Sequence, residues 1–454
     1  MPIALMENNK IITFTVIFTA CAVSAVLLIF GYRIFWAVLI VITSLILVAI
    51  KPKVFLYAAI SLLTMRDLIA GGERFAVGPY FNFDLGGLIN ILTIFLGAVY
   101  LVIHRKTPFC NMLAKSYVLF LAFCALSLTY TTNFANGLKF FARLTSPFVF
   151  YLIAVHEIET DRDIGIVIRC IIFSSAVPVI LGLYQLVTGH SNLDTSGFFR
   201  VYGSFGHPNT YSFYLLFVFC ITYTLCLSPR VKQRILFFIL SFVTAFLLLF
   251  TYCRIAWIAF AAIFFFLNYR YHQKKIIIAV LIFIIPVFAY FLPSISSRLG
   301  GVIEVFKEHD ILNANVSIGW RINAWRYLLL RIPEHPFIGH GLRGVFFMMQ
   351  DLYDIQSSPH NGYLGILYDT GVIGLSFFLF VLAMIIRNGR EVIEKIKDGL
   401  PFDKASIFVS CLITFVIILI SDNLLEYYNV SFYFWIIFAI GSNAADNLKR
   451  VKYA

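Results

Sequence analysis

The sequence predicts an all-α polytopic membrane protein, with about 12–14 transmembrane helices and one large structured loop. Three observations carry this. The 454 residues are 61% hydrophobic and only 13% charged, with a mean hydropathy of +0.89. No soluble domain hides that much apolar surface. Apolar runs of span length recur along the whole chain, and basic residues gather between alternate runs. The 49 phenylalanines and 24 tyrosines suit lipid contact and interfacial belts.

In order, the expected spans lie near residues 11–30, 34–50, 54–68, 85–103, 116–131, 141–157, 164–187, 210–228, 235–252, 255–269, 275–292, 372–387, 405–421 and 430–446. Residues 11–30 resemble a signal-peptide core, but they are long enough to span and no small-x-small cleavage pattern closes them, so they read as the first helix. The run at 54–68 is cut short by Arg66 and Asp67. Three parts follow: helices over 1–292, a loop over 293–371 and further helices over 372–454.

Orientation is set by the cations. With the N-terminus inside, the inner segments hold Lys51 and Lys53, Arg105, Lys106 and Lys115, Arg230, Lys232 and Arg234, and Arg270, Lys274 and Lys275. They also hold Arg387, Arg390, Lys395, Lys397 and Lys404, and then Lys449, Arg450 and Lys452. Every basic cluster falls on one side and both termini lie inside. Much of the net charge of +12 is therefore topological, and nucleic-acid binding has little left to explain. Cys21, Cys124, Cys170, Cys220 and Cys411 sit in apolar runs, where cysteine acts as a small hydrophobe. Without a CxxC or Cys/His cluster, neither a disulfide framework nor a metal site is expected.

The loop at 293–371 is the outer anomaly. Its "GWRINAWRYLLLRIPEH" (319–335) carries Ile322, Trp325, Leu329 and Ile332 at helical spacing, with Arg321, Arg326 and Arg331 largely off that stripe, and Pro333 ends the helix. Such a helix suits the membrane interface. "PFIGHGLRG" is a glycine-punctuated loop. In "SSPHNGYLGILYDTGVIG" (357–374), a Pro-His-Asn turn enters a short helical pattern, and Gly371 and Gly374 let it bend into the next span. His360 reads as a helix-capping interfacial residue or as a proton acceptor facing the outer compartment, since neutral imidazole serves that role. Asn361 is the alternative cap.

Other polar residues fall on the same outer side. Arg254, in "LFTYCRIAWIAF", stands alone between apolar runs, as an interfacial snorkeller or an anion clamp. "RVYGSFGHPNTYSFY" (200–214) places Arg200 and His207 before Pro208 and Asn209 at a helix start, a capped loop or an anion site. Arg321 opens the loop helix, as a solvated charge or a headgroup contact. Asp422, in "ISDNLLEYY", either ends a helix or pairs with an arginine or His360. Arginines with one histidine and one acid suit an anionic lipid headgroup and not a metal.

The loop motifs "GWRINAW", "PFIGHGLRG" and "SSPHNGYLGILYDTGVIG", with "RVYGSFGHPNTYSFY" and "LFTYCRIAWIAF" before them, resemble the O-antigen ligase and O-antigen polymerase superfamily over roughly residues 195–385. The resemblance implies an inverting glycosyltransferase of the bacterial inner membrane that needs neither metal nor cofactor. Its loop would be periplasmic and its termini cytoplasmic. The donor would be an undecaprenyl-pyrophosphate-linked glycan. The acceptor would be another lipid-linked glycan for a polymerase, or the lipid A core for a ligase, with membrane lipids and a chain-length regulator as further partners. By matched position, His360 would be catalytic, and Arg254 and Arg321 would hold the pyrophosphate. Arg200, His207, Asn209, Asn361 and Asp422 would contact substrate. Cys253 stands where a serine is expected, and Ser358 and Pro359 replace the flanking histidine of some ligases; both tilt the reading toward a polymerase. A lipid-linked oligosaccharide flippase is the rival of another class. Arg143 and Arg169 would fall within spans, but most arginines do not.

Overall fold

The computed structural model describes residues 32–70, 74–77, 81–189, 192–193, 199–273, 317–353, 358–394 and 402–452. The expected spans at 11–30, with Cys21, and at 275–292, and the loop residues 293–316, lie outside them. Every other expected span is helical.

The helices are α1 (Tyr32–Ile50), α2 (Pro52–Leu62), α3 (Arg66–Ala70), α4 (Leu85–Ile103), α5 (Met112–Ser127), α6 (Phe134–Glu157), α7 (Asp161–Ser174) and α8 (Ala176–Thr188). Next come α9 (Pro208–Leu227), α10 (Arg234–Leu249), α11 (Arg254–Arg270), α12 (Ser317–Arg331), α13 (Gly344–Tyr353), α14 (Gly362–Glu394), α15 (Phe402–Ser421) and α16 (Tyr428–Lys452). Two short antiparallel hairpins interrupt them: β1 (Arg74–Val77) with β2 (Phe81–Asp84), and β3 (Asn192–Leu193) with β4 (Phe199–Arg200). Seven helical segments among the described residues are long and apolar enough to cross a membrane. The fold is that of an all-α polytopic membrane protein.

Polar side chains cap several helix starts. Asn111 accepts from the Ala114 N–H at 2.8 Å, and Asn133 from that of Asn136 at 3.0 Å. Thr160 and Asp163 form a reciprocal capping box on α7. His207 caps α9 with Pro208 as its first residue, and Gly189, left-handed at φ 70°, closes α8. Two expected spans are broken. The run at 54–68 passes from α2 through a 3-10 turn (Leu63–Met65) into α3, which carries the Arg66–Asp67 pair; that at 164–187 divides at Ser175.

The core is aromatic. α9 and α16 run buried through the bundle, and α6 packs on α4 and α16. Trp435 meets Tyr117 edge-on at 4.3 Å, and Phe148 stacks on Tyr151 at 5.5 Å. Many buried polar side chains are paired with one another: Ser146 donates to Asn90 at 2.7 Å, and Tyr214 and Ser174 lie 2.7 Å apart.

Side-chain bonds join like ends. Inner ends pair with inner ends: Lys53 with Asp163 at 3.0 Å, Lys404 with Asp161, and the hydroxyls of Ser228 and Tyr271 with Asp403, both at 2.6 Å. At the other end, Thr131 donates to the Leu342 carbonyl at 2.7 Å, Ser204 to that of Thr64 at 2.8 Å, and Asn429 to the Asp67 carboxylate at 3.1 Å. This matches the alternation of ends read from the cations.

The outer loop folds into a small lobe of α12, α13 and the first turns of α14. Ala324, Leu328, Val345, Met348, Met349 and Tyr368 form its core. The buried row on α12 is thus Ala324 and Leu328. Trp325 and Ile332 pack beside it, while Leu329 of the expected stripe is exposed. α14 is one helical run bent at Gly371, whose φ of 62° and ψ of −170° leave the helix. A β-carbon there would overlap the Phe337 carbonyl, so the bend requires glycine.

Candidate functional site

The turn after α15 organises the outer end. Asp422 lies one residue past the C-terminus of α15 and is fully buried. Its Oδ2 accepts from Asn209 Nδ2 at 2.7 Å. Its Oδ1 accepts from the Asn423 N–H at 2.8 Å and the Tyr427 hydroxyl at 2.9 Å. His360 Nδ1 stands 3.3 Å from the same oxygen. Burial pushes the Asp422 carboxyl up, but the hydrogen bond from His360 and the charges of His360 and Arg321 outweigh it and hold the group below its ordinary value. An ionised Asp422 only accepts. In the neutral ring of His360 that contact favours the tautomer with the proton on Nδ1 and the lone pair on Nε2.

His360 is held from both sides. Pro359 before it is buried, and the Trp325 indole donates to the Pro359 carbonyl at 2.7 Å. After it, the Asn361 side chain accepts from the Leu364 N–H at 3.0 Å, so Asn361 caps α14. His360 has a φ of 50°, a left-handed conformation costly for a residue with a β-carbon. Such strain persists where surrounding contacts impose it, as these do. The side chain is 23% exposed, beside a carboxylate at 0%.

The arginines reach the network from three segments. Arg200, on β4, donates through Nη2 to Asn209 Oδ1 at 2.7 Å and through Nε to the Thr251 carbonyl at 2.7 Å. Asn209 thus relays between Arg200 and Asp422. Arg321 donates through Nη1 to the Ser421 carbonyl and hydroxyl, both at 3.1 Å. Arg254 begins α11 after Cys253, a buried residue whose thiol interacts with Ser212 and feels the charges of Asp422 and Arg200. That turn is tied to β4 by the Val201 N–H on the Phe250 carbonyl at 3.1 Å. His207 spends its Nδ1 on the Asn209 N–H at 3.1 Å.

The structure therefore brings together His360, Asp422, Asn209, Arg200 and Arg321 through direct bonds or charge, with Arg254 on the adjoining turn. His207 and Asn361 are engaged as helix caps, the plainer of the readings open to them. Within the described residues, no group of His, Cys, Asp and Glu has the arrangement of a metal site.

A second polar knot was not foreseen. Arg343, buried and at φ 72°, pairs with Glu426 at 2.7 Å and donates to Ser358 Oγ at 3.1 Å; Ser358 in turn donates to Glu426. Burial pushes Glu426 up, but the charge and hydrogen bond of Arg343, the Ser358 hydroxyl and the charge of Arg143 bring it below its ordinary value. The Arg343 and Val345 N–H groups donate to Asp369 at 2.8 and 2.9 Å. This knot fixes the start of the Ser-Pro-His turn two residues before His360. Beyond it, Arg66 lies over the Tyr428 ring at 4.1 Å and pairs with Asp67 at 2.9 Å. The one legible signal was charge inside apolar surroundings: Arg66 and Asp67 in a span, and Glu426 four residues after Asp422.

These features define a class: a multi-pass membrane protein with a polar, arginine- and histidine-bearing site at one face, covered by a folded loop. Residues 236–379 match the Wzy_C family, described as O-antigen ligase. That match, over less than half of the chain, agrees with the resemblance read from its motifs. The match includes Arg254, Arg321 and His360, whereas Arg200, Asn209 and Asp422 flank it. A search of curated proteins finds no match to the chain.

Proposed function

We propose that this chain is an inverting, metal-independent membrane glycosyltransferase acting at the periplasmic face of the bacterial inner membrane. It transfers an undecaprenyl-pyrophosphate-linked glycan to a sugar hydroxyl, as a surface-polysaccharide polymerase. One observation carries the reading. A histidine backed by a buried carboxylate shares that carboxylate's neighbourhood with guanidinium groups from separate parts of the chain. His360 accepts the acceptor hydroxyl proton at Nε2 as the oxygen attacks the anomeric carbon. The bond from that carbon to the pyrophosphate oxygen breaks, and the lipid diphosphate leaves with the electron pair. Arg254 and Arg321 neutralise its growing charge, which spares a metal ion. A single displacement inverts the configuration.

Two observations speak against a flippase. The charge of Arg143 acts on Glu426 in the outer knot, and Arg169 is exposed on α7. Neither has the setting of a cation lining an internal passage. The ligase reading is favoured by the description of the matched family. Purified protein with lipid-linked donor tests transfer itself. Replacing His360 by Ala lowers the rate by about 10²–10⁴-fold while expression persists, and near-normal transfer by that variant refutes the assignment. Deleting the gene separates the branches: surface glycan reduced to one attached repeat means polymerase, and no attached glycan means ligase.

A further inference from the structure

The outer lobe has a second concave face. A cleft of about 370 Å³ opens between the turn after α5 and the lobe. Its walls include Tyr130 and Thr132 from that turn, Tyr327 and Arg331 from α12, Phe347 from α13 and Tyr368 from α14, with His335 and His340 between them. That volume is within the range of small-ligand sites.

The cleft is preformed. Segment 336–341 is zipped onto the bend of α14 by four backbone bonds. The His340 and Gly341 N–H groups donate to Tyr368 and Asp369 at 2.9 Å, and those of Val372 and Ile373 to Pro336 and Phe337 at 2.9 and 3.2 Å. The Tyr130 hydroxyl donates to the Ile338 carbonyl at 2.7 Å, tying the far wall to the same segment. His340 stacks on Tyr368 at 4.1 Å with ring planes 3° apart, and His335 meets His340 edge-on at 4.9 Å. Gly339, at φ 74°, lies against the Asp369 backbone, leaving the floor no room for a side chain.

Its chemistry differs from that of the His360 face. Its arginine is already balanced: Arg331 lies 3.4 Å from Glu334 and donates to the Tyr327 hydroxyl at 2.9 Å. His340 Nε2 is 3.5 Å from the same carboxylate. A diphosphate needs a surplus of cations. What remains is ring surface from Tyr130, Tyr327 and Phe347, rimmed by hydroxyl and imidazole groups that both donate and accept. This matches a pyranose, which has apolar C–H faces and a rim of hydroxyls. Position agrees. Arg321 and Arg331 are ten residues apart on α12, so the cleft lies about 15 Å along the helix from the arginine at Ser421.

We propose that this cleft is a saccharide-binding subsite, which grips an uncharged sugar of the glycan remote from the reacting bond. The proposal rests on the glycosyltransferase reading. Its test uses full-length protein in detergent and two soluble probes. One is the phosphate-free oligosaccharide released by mild acid from the source cells' lipid-linked glycan; the other is inorganic pyrophosphate. Thr132 and His335 are exposed, so Thr132→Trp, which fills the cleft, and His335→Ala leave the fold intact. Each is expected to weaken oligosaccharide binding at least ten-fold, to retain pyrophosphate binding, and to raise the KM for the lipid-linked glycan more than it lowers kcat. Oligosaccharide that fails to bind the wild type, or binds both variants equally well, overturns the subsite. Binding lost in both variants, with a wild type that transfers no glycan, keeps the subsite and discards the transfer reading.

Discussion

Three aspartates at the inner end of the bundle and one at the outer end are built on opposite principles. At the inner end, Asp161, Asp163 and Asp403 stand in the first turns of α7 and α15, where the helix dipole favours negative charge. Asp163 closes a capping box and meets Lys53, which is 41% exposed. Asp422, at the outer end, follows the C-terminus of its helix, where the dipole opposes a negative charge. Close by in sequence it has the Asn423 N–H, at 2.8 Å. Its ionisation depends on Asn209, Tyr427, His360 and the charge of Arg321, which lie outside its helix. An acid placed against its local preference and sustained by distant donors is what the proposed site requires, whereas acids at helix starts serve the helices they begin.

Substitutions sharpen that contrast. Asp422→Ala leaves several buried donors without an acceptor and His360 without its orienting partner. It is expected to abolish transfer and to destabilise by about 3–5 kcal/mol, read by thermal unfolding. The pH dependence has a definite sign. The carboxyl of Asp422 is depressed in the folded protein, so its contribution is full above its unfolded value and is lost as pH falls through the folded one. The stability gap between wild type and Asp422→Asn should therefore narrow as pH falls below about 4. A gap that is constant with pH would deny that the carboxylate is ionised in the fold.

Breaking the Arg343–Glu426 pair is the next largest effect. Either single alanine variant should lose about 3–5 kcal/mol, because it strands a buried charge. Removing both should cost less than the sum of the two, which a double-mutant cycle measures. Transfer should fall with the singles, since Ser358 and the histidine turn lose their anchor. At Arg254 the comparison is between Ala and Lys: donor use should weaken more in Arg254→Ala. Equal tolerance of both would reduce the residue to a membrane-interface anchor. The smallest effect belongs to the inner end. Lys53→Ala should change stability by less than about 1 kcal/mol, as exposed pairs do, and should leave transfer unchanged.

Among the described residues, the helical spans, which of their ends lie together and the bend near Gly371 were legible because each is a local property, of hydropathy, of charge between apolar runs, or of glycine. Asn361 and His207 were legible as caps for the same reason. The break of 54–68 into a 3-10 turn and the Arg66–Asp67 pair showed in the sequence only as an interruption. Of the Arg343–Glu426–Ser358 knot only Glu426 stood out, and the pairing could not be read, because its members come from α13's lead-in, the turn after α15 and the loop before α14, and Arg343 and Ser358 look like ordinary loop polar residues.

By itself the sequence determined a bundle of apolar helices, its two classes of ends and the kinds of residue gathered at the outer one. Tertiary structure alone decided which of those residues meet. Asn209 lies between Arg200 and Asp422, His360 backs onto the same carboxylate, and Arg321 reaches Ser421 across 100 residues. Hydropathy and helix signals act over a few turns of chain. In a membrane interior the pairing of buried charges is set by which helices pack together, and no local pattern encodes that.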